Sequence, residues 1–270
     1  MQVLPKRAVL DLRGPETENF LHNLVTADVL GLDEAHARYG ALLTPQGKIL
    51  FDFFIAKTAE GYLLDCATSQ GEELLKRLTF YRLRAKIEIS RRDDLEVGVA
   101  AVKPEGVLAY VDPRNASMGW RIIVARGTLA ASDGYEAARI GLGLADTDGD
   151  IGSSKLFPHE ANFDQFGAVS FTKGCYVGQE VVARMEHRAT ARSRILPVTF
   201  DGIAPPYESE IRSGYKMIGT VLSTSGNQAL ALVRLDRLAE ASLPLLTAGV
   251  STRVQKPSWM IYDVSQKEIP

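Results

Sequence analysis

Residues 171–180 read Phe-Thr-Lys-Gly-Cys-Tyr-Val-Gly-Gln-Glu. The stretch combines a lysine, one of only two cysteines, two glycines, a tyrosine and an amide–acid pair. Glycine lets a backbone turn tightly or lets a ligand approach it closely, and a cation beside a thiol lowers the pKa of that thiol. An isolated cysteine is most often a small buried hydrophobic residue. Core packing alone does not require this combination, so we predict that Cys175 is a reactive thiol activated by Lys173.

An apolar segment precedes this stretch and a cluster of basic residues follows it. The pattern of residues 168–171 predicts a strand, and the basic residues begin after Glu180. The basic residues after it are Arg184, His187, Arg188, Arg192 and Arg194. Residues 173–194 carry five Lys/Arg against two Glu, a local charge of +3 in a chain of −2. Such a patch suits a polyanionic ligand tail or RNA phosphate, whereas the usual role of a charge run is a solvated face.

Composition places the chain among ordinary globular proteins. Its 270 residues are 46% hydrophobic and 24% charged, which is typical of a folded chain with room for two or three modest domains. The near-neutral balance of 31 Lys+Arg and 33 Asp+Glu argues against non-specific coating of nucleic acid. Two widely separated cysteines without an export signal indicate a reducing compartment, so we expect a cytoplasmic protein. No apolar run is long enough to span a bilayer, and we expect no membrane partner.

The pattern of short strands and few helices predicts an α+β fold with antiparallel sheets. Helices are expected over about 15–25, about 69–79 and from Ser132 to Gly143, and a Gly-rich loop over 146–154. Expected strands in the first half are 8–12, 37–44, 48–57, 62–66, 85–90, 96–102, 107–111 and 120–124. After Arg194 the strands 195–200, 215–223, 228–234 and 250–254 alternate with turns, which predicts a small all-β module.

Motifs for common cofactors and metals fail on inspection. Residues 141–146 lack the third glycine of a dinucleotide fingerprint. Residues 146–150 resemble a calcium loop, but Phe157 stands where the bidentate acid is needed. His159-Glu160 is followed by Phe163 rather than a second histidine, and no cysteine or histidine spacing fits zinc. We therefore expect no resident metal.

Asp52 is the most unusual acid in the sequence. It lies in the nearly apolar segment 49–55, where a carboxylate must be paired, hydrogen-bonded or neutral. One reading is a structural acid satisfied by a backbone amide or an arginine. The other is a functional carboxylate, since partnered acids inside sheets are typical of sites.

Residues 173–180 match the K-G-C-Y-x-G-Q-E signature of the YgfZ family. These folate-binding proteins are related to the T-protein (aminomethyltransferase) of the glycine cleavage system. Further segments that resemble the family are 11–14, 20–29, 42–55, 156–162 and Trp259. The resemblance implies a three-domain, T-protein-like cloverleaf. Its parts would be an N-terminal α+β domain (1–45 with about 135–193), a ferredoxin-like domain (about 46–134) and a C-terminal β-barrel (194–270).

The resemblance also implies a folate, either tetrahydrofolate or a one-carbon-loaded form. Asp52 would accept N–H donors of the pterin ring, Tyr135 would contact the ring, and basic residues would meet the glutamyl tail. The implied contacts are Asp52, Tyr135, Tyr176, Gln179, Glu180 and Arg184. An alternative reading of Gln179-Glu180 is the first turn of a helix, because an acid there is ordinary capping chemistry.

Two departures from T-proteins separate the functional hypotheses. Phe51 precedes Asp52 where T-proteins have paired acids, and Gly141 stands at their pterin-binding glutamate. Bacterial members of the YgfZ family are associated with tRNA modification and with maturation of iron–sulfur enzymes. The resemblance therefore implies a monomeric accessory factor for iron–sulfur cluster assembly or repair, which affects tRNA modification through that route. Its partners would be folate and iron–sulfur assembly or client proteins. The alternatives are a folate-dependent aminomethyltransferase that uses Asp52, and an RNA-binding module that uses the arginines of residues 184–194.

Overall fold

The computed structural model describes residues 1–131, 134–188, 191–262 and 264, without the side chain of Arg188. The chain divides into two compact units. The first comprises the described residues of 1–133, 153–155 and 166–181, and the second those of 134–152, 156–165 and 182–270.

The first part of the chain forms nine strands, two α-helices and a short 3-10 helix (Ala116–Met118). In chain order they are β1 (Gln2–Val3), β2 (Arg7–Arg13), α1 (Thr17–Leu24), β3 (Ala37–Leu43), β4 (Ile49–Thr58), β5 (Gly61–Ala67), α2 (Thr68–Arg82), β6 (Glu88–Arg91), β7 (Leu95–Ala100), β8 (Leu108–Val111) and β9 (Trp120–Ala125). They build a five-stranded sheet in the order β3-β4-β5-β2-β6 and a four-stranded sheet in the order β1-β7-β9-β8. All strand pairs within these two sheets are antiparallel.

One face of the five-stranded sheet carries the core of the first unit. Leu10, Phe53 and Leu64 are fully buried on it and pack with Leu21 of α1 and Leu74 of α2. Side chains alternate between the two faces of a strand and recur every three to four residues on a helix. The apolar residues of these five elements therefore meet in one layer.

The opposite face of the same sheet carries buried charges. Nε of Arg7 lies 2.6 Å from Oδ1 of Asp65, and Nη2 of Arg121, on β9, lies 2.5 Å from Oδ2 of that carboxylate. The guanidinium of Arg121 stacks 3.9 Å from the ring centroid of Phe54, and that of Arg114 lies 4.8 Å from it. Removing one partner of such a buried pair costs about 3–5 kcal/mol, because the other charge is left unpaired.

The second part of the chain forms a closed barrel with short helices. In chain order the elements are α3 (Tyr135–Gly141), α4 (Gln179–Arg188), β10 (Ser193–Phe200), β11 (Glu210–Ser213), β12 (Lys216–Ser225), β13 (Gln228–Arg234), α5 (Leu235–Ala239), β14 (Leu245–Thr247) and β15 (Val250–Val254). The barrel order is β10-β13-β12-β11-β14-β15, and β10 closes it by pairing with β15. Closure leaves no strand edge unpaired, and side chains such as Leu196, Val221 and Ala231 fill the interior.

The structure confirms the α+β class and the two helices predicted near residues 15–25 and 69–79. All eight strands predicted between residues 8 and 124 are present, with their ends displaced by a few residues. The four strands predicted after Arg194 are also present, whereas β1, β11, β14 and α5 were not predicted. The helix expected from Ser132 begins at Tyr135, and Ser132 lies outside the described residues. No helix among the described residues is long and apolar enough to cross a membrane.

Two local predictions were wrong. Residues 168–171 do not form a strand, because their hydrogen bonds go to Thr26 instead of a ladder. The predicted loop 146–154 contains a π-helical turn (Thr147–Ile151), whose start is fixed by hydrogen bonds from the backbone to the side chains of Asp146 and Asp150.

The domain boundary placed at residue 45 falls within the β3–β4 hairpin, whose strands share one sheet. The three-domain division itself stays a prediction.

Candidate functional site

The segment that leads into residues 171–180 is anchored on Thr26. Oγ1 of Thr26 donates to the carbonyl of Ala168 (2.7 Å) and accepts from N of Ala41 (2.9 Å). The backbone of Thr26 donates to the carbonyl of Ala41 and accepts from N of Ser170, both at 2.9 Å. This fully buried threonine therefore joins β3, the exit of α1 and the start of the signature.

Lys173 makes the most specific contact of the segment. Its Nζ donates to the carbonyls of His22 (2.5 Å), Val25 (2.5 Å) and Ala27 (2.9 Å) at the C-terminal end of α1. We call this ammonium and its three acceptors the Lys173 tripod. Burial lowers the pKa of Lys173 to about 8, and the nearby Asp28 carboxylate opposes that shift. The three acceptors and the negative end of the helix stabilise the charged form.

The tripod changes the predicted role of Lys173. A lysine ammonium has three N–H donors, and all three point at carbonyls. Activation of Cys175 through a direct hydrogen bond from Lys173 is therefore not part of this arrangement.

Two glycines bring the second half of the signature against the β3–β4 turn. Gly178 has φ +82, and a Cβ placed on it would lie 2.6 Å from the carbonyl oxygen of Thr44 and 2.9 Å from Cα of Gly47. Gly47 has φ +80, and a Cβ there would lie 2.9 Å from Cβ of Val181. Only glycine permits this approach of two backbones, so Gly178 fixes where α4 begins.

Cys175 and Cys66 differ completely in accessibility. Cys175 is exposed on the loop before α4, and a methyl group placed on the neighbouring Gly174 would meet nothing within 4 Å. Cys66 is 1% exposed, and its thiol donates to the carbonyl of Ala8 at 3.7 Å. Burial raises the pKa of Cys66 to about 12. Cys175 is thus the accessible thiol of this chain.

The other signature residues support the loop. Tyr176 is 7% exposed, its ring centroid lies 5.0 Å from Nζ of Lys173, and burial raises its pKa to about 12. Oε1 of Gln179 accepts from N of Tyr176 at 3.3 Å. Glu180 is exposed in the first turn of α4. The helix-start reading of Gln179-Glu180 is confirmed, while the predicted folate contacts of Tyr176, Gln179 and Glu180 stay predictions.

Asp52 lies inside the sheet, as its sequence context required. It is 2% exposed, and the hydroxyl of Tyr39 donates to its Oδ2 at 2.8 Å. The ring of Tyr39 packs against Phe54, with centroids 4.9 Å apart. A buried carboxylate with a phenol partner and two aromatic rings beside it can accept N–H donors of a flat ligand.

The predicted basic run does not act as one surface. Arg184 and Arg192 are exposed, but Arg194 is 1% exposed and donates to both oxygens of Asp164, at 2.8 and 3.0 Å. The inclusion of Arg194 in a ligand-facing patch was therefore wrong, because an internal carboxylate already occupies its guanidinium. Tyr135 is half-buried in the first turn of α3, within the second unit.

A group of charged residues in the second unit was missed by the sequence analysis. Ligand atoms of His159, Asp164 and Glu186 lie within 4.8 Å of one another, with His159 Nε2 at 2.9 Å from Glu186 Oε2. The hydroxyl of Tyr262 donates to Asp164 at 2.9 Å, and its ring centroid lies 3.8 Å from the Arg194 guanidinium. Burial acts to raise the pKa of Asp164, but the bonds from Arg194 outweigh it and lower that pKa. A carboxylate already paired with a guanidinium is a poor ligand for a cation.

Replacing Gly178 by alanine should destabilise the first unit strongly. The left-handed φ costs about 1–2 kcal/mol for a residue with a Cβ, and the backbone overlap adds about 1–3 kcal/mol. Gly174→Ala is the matched control, because its Cβ meets open space, and we expect a change within about 0.5 kcal/mol. Urea unfolding of both variants measures the difference. Equal losses would contradict the close approach of Gly178 to the β3–β4 turn.

Comparison with known proteins agrees with this architecture. Residues 192–262 match the family model "CAF17, C-terminal beta-barrel domain". The structure is similar to that of glycine cleavage system aminomethyltransferase T from Bartonella henselae, with a TM-score of 0.75, 14% identity, and coverage of 94% of this chain and 84% of that one. The predicted T-protein-like fold class is confirmed: a mixed α/β aminomethyltransferase fold with a closed six-stranded barrel.

Curated relatives identify the family. The chain is 30% identical to human "Iron-sulfur cluster assembly factor IBA57, mitochondrial", over 87% of this chain and 77% of the human protein. It is 29% identical to the IBA57 homolog of Pyricularia oryzae, over 89% of this chain and 73% of that protein. Both relatives are named as mitochondrial, and this finding overturns our expectation of a cytoplasmic protein. The finer assignment to YgfZ stays a prediction. The chain belongs to the family of the iron–sulfur cluster assembly factor IBA57.

Proposed function

We propose that this protein is an accessory factor in iron–sulfur cluster assembly or repair, and that Cys175 is the group that contacts the cargo. The observation that carries the proposal is the exposed Cys175 thiol on a loop whose two sides are anchored by Lys173 and Gly178. The names of the relatives support the same role.

The number of accessible thiols limits what the chain can do alone. Iron–sulfur clusters are usually held by four thiolates, and this chain offers Cys175 while Cys66 is buried with a raised pKa. Cys175 would therefore supply one ligand, while a second protein supplies the remaining ligands. The proposed partners are iron–sulfur assembly or client proteins.

An effect on tRNA modification would follow indirectly, through the cluster-dependent enzymes that carry it out. Direct RNA binding receives less support, because the buried Arg194 removes one of the cations on which that hypothesis depended.

Cys175→Ala tests this role in cells whose only copy of the protein is the variant. We expect the activity of cluster-dependent enzymes, including those that thiolate tRNA, to fall to the level of cells lacking the protein. Stability should change by less than about 0.5 kcal/mol, because the side chain is exposed. Cys66→Ala is the control: it removes a buried thiol and some packing, yet should keep the activity. Full activity of Cys175→Ala would exclude the proposed role.

Folate binding is a second proposal, supported by the surroundings of Asp52. A pterin has ring N–H donors and a flat face. The Asp52 carboxylate can accept from the donors, and the Tyr39 and Phe54 rings can pack against the face. The residues fit the group chemically. Because Asp52 is 2% exposed, neighbouring side chains must move for the ring to enter. Bound tetrahydrofolate would supply a carrier for a one-carbon unit, and Asp52 would orient it.

Calorimetric titration with tetrahydrofolate tests this proposal. A hydrogen bond to a charged group contributes about 1.5–3 kcal/mol, so Asp52→Asn should weaken binding by about 10- to 150-fold. Asp33→Asn, at an exposed acid, is the control and should bind as the wild type does. Absence of binding to the wild type would exclude folate, and equal binding by Asp52→Asn would remove Asp52 from the site. Turnover of an aminomethyl substrate that Asp52→Asn abolishes would instead favour the transferase alternative.

A further inference from the structure

The signature loop runs past the C-terminal end of α1, where the carbonyls of a helix lack partners within the helix. Lys173 reaches three carbonyls at this exit, of His22, Val25 and Ala27, with bonds of 2.5, 2.5 and 2.9 Å. The three N–H groups of an ammonium diverge from one nitrogen, so one residue satisfies three acceptors. A planar guanidinium cannot reproduce this arrangement from a single nitrogen.

The tripod and the Gly178 contact bracket the thiol. Lys173 lies two residues before Cys175, and Gly178 lies three residues after it against the turn at Gly47. Between these anchors the ring of Tyr176 packs inward, whereas Gly174 and Cys175 are exposed. The loop is therefore held from both ends and presents its thiol outward.

We propose that Lys173 is a positioning residue: its ammonium ties the loop that carries Cys175 to the carbonyl end of α1. This inference rests on the proposed function of Cys175. Lys173 acts through geometry, because each of its N–H groups is used by a carbonyl and none is left for the thiol.

Two substitutions separate geometry from charge. Lys173→Met keeps an apolar stem without the ammonium, and Lys173→Arg keeps a positive charge without the three diverging donors. A small misplacement of reacting groups can lower a rate by about 10²-fold. We therefore expect the activity of cluster-dependent enzymes in cells to fall about 10- to 100-fold with either variant. Lys155→Met, at an exposed lysine, should leave it unchanged. Wild-type activity of Lys173→Arg would overturn the proposal, since charge alone would then suffice.

The wild-type protein gives a second readout that does not depend on a variant folding. In protein labelled with ¹⁵N-lysine, the Lys173 ammonium should exchange its hydrogens with water slowly enough to give an Nζ–H signal near neutral pH. That signal should be missing from Lys173→Arg, and exposed lysines such as Lys155 should exchange too fast to be seen. Exchange of Lys173 as fast as that of Lys155 would overturn the proposal.

Failure of this inference is distinguishable from failure of the proposed function. If Cys175→Ala keeps full activity while the protected ammonium is present, the proposed function fails and the anchoring of the loop stands. If Cys175→Ala is inactive while Lys173→Met and Lys173→Arg are fully active, the proposed function stands and positioning by Lys173 is refuted.

Discussion

The contact between one ammonium and three carbonyls decides how this chain displays its thiol. The end of a helix leaves carbonyls that need donors. Lys173, about 150 residues later in the chain, donates to the carbonyl of His22 in the last turn of α1 and to those of Val25 and Ala27 in the segment that follows it. Thr26, next to two of these acceptors, joins the same exit to β3 and to residue 170. The end of α1 is therefore hydrogen-bonded both to β3, at the edge of the sheet, and to the segment that carries the signature. The exposed position of Cys175 follows from these bonds.

Asp65 and Asp52 are two buried acids on neighbouring strands of the first unit, and the structure gives them different partners. Asp65 pairs with Arg7 of its own sheet and with Arg121 of the four-stranded sheet, while Asp52, on the neighbouring strand, accepts a hydrogen bond from the phenol of Tyr39. A guanidinium neutralises a carboxylate to which it is bound. The bond from Tyr39 is one of the interactions of Asp52, and a role of this acid as an acceptor for ligand N–H groups stays a proposal. The aminomethyltransferase of similar fold is 14% identical to this chain, so this likeness shows the fold alone.

The sequence predicts those features that depend on local pattern. The nearly apolar run of residues 49–55 and the helical spacing of Phe20 and Leu24 predicted the right elements, because a strand inside a sheet is buried along its length and a helix buries one face. The strand expected over residues 168–171 is absent because hydrogen bonds with Thr26 take the place of a ladder. The loop expected over residues 146–154 contains a π-helical turn, which a hydrogen bond to the Asp150 carboxylate supports. The Lys173 tripod and the Gly47–Gly178 approach join segments more than a hundred residues apart, and no local pattern reports them. Proximity along the chain suggested that Lys173 activates Cys175; the structure shows that the donors of Lys173 bind carbonyls, and activation of the thiol through the charge of Lys173 stays a prediction.

Thiol reactivity in the folded protein tests the central claim most directly. Native protein is treated with an alkylating reagent, and the rates at Cys175 and Cys66 are followed by mass spectrometry. Cys175 should react without any opening of the structure. Cys66 can react only when the core opens locally, and an opening free energy of about 4 kcal/mol would slow its alkylation by about 10³-fold. Unfolded protein should show the two rates within a few-fold of each other. Comparable rates in the native protein, or slower reaction at Cys175, would contradict an anchored loop that presents a single thiol.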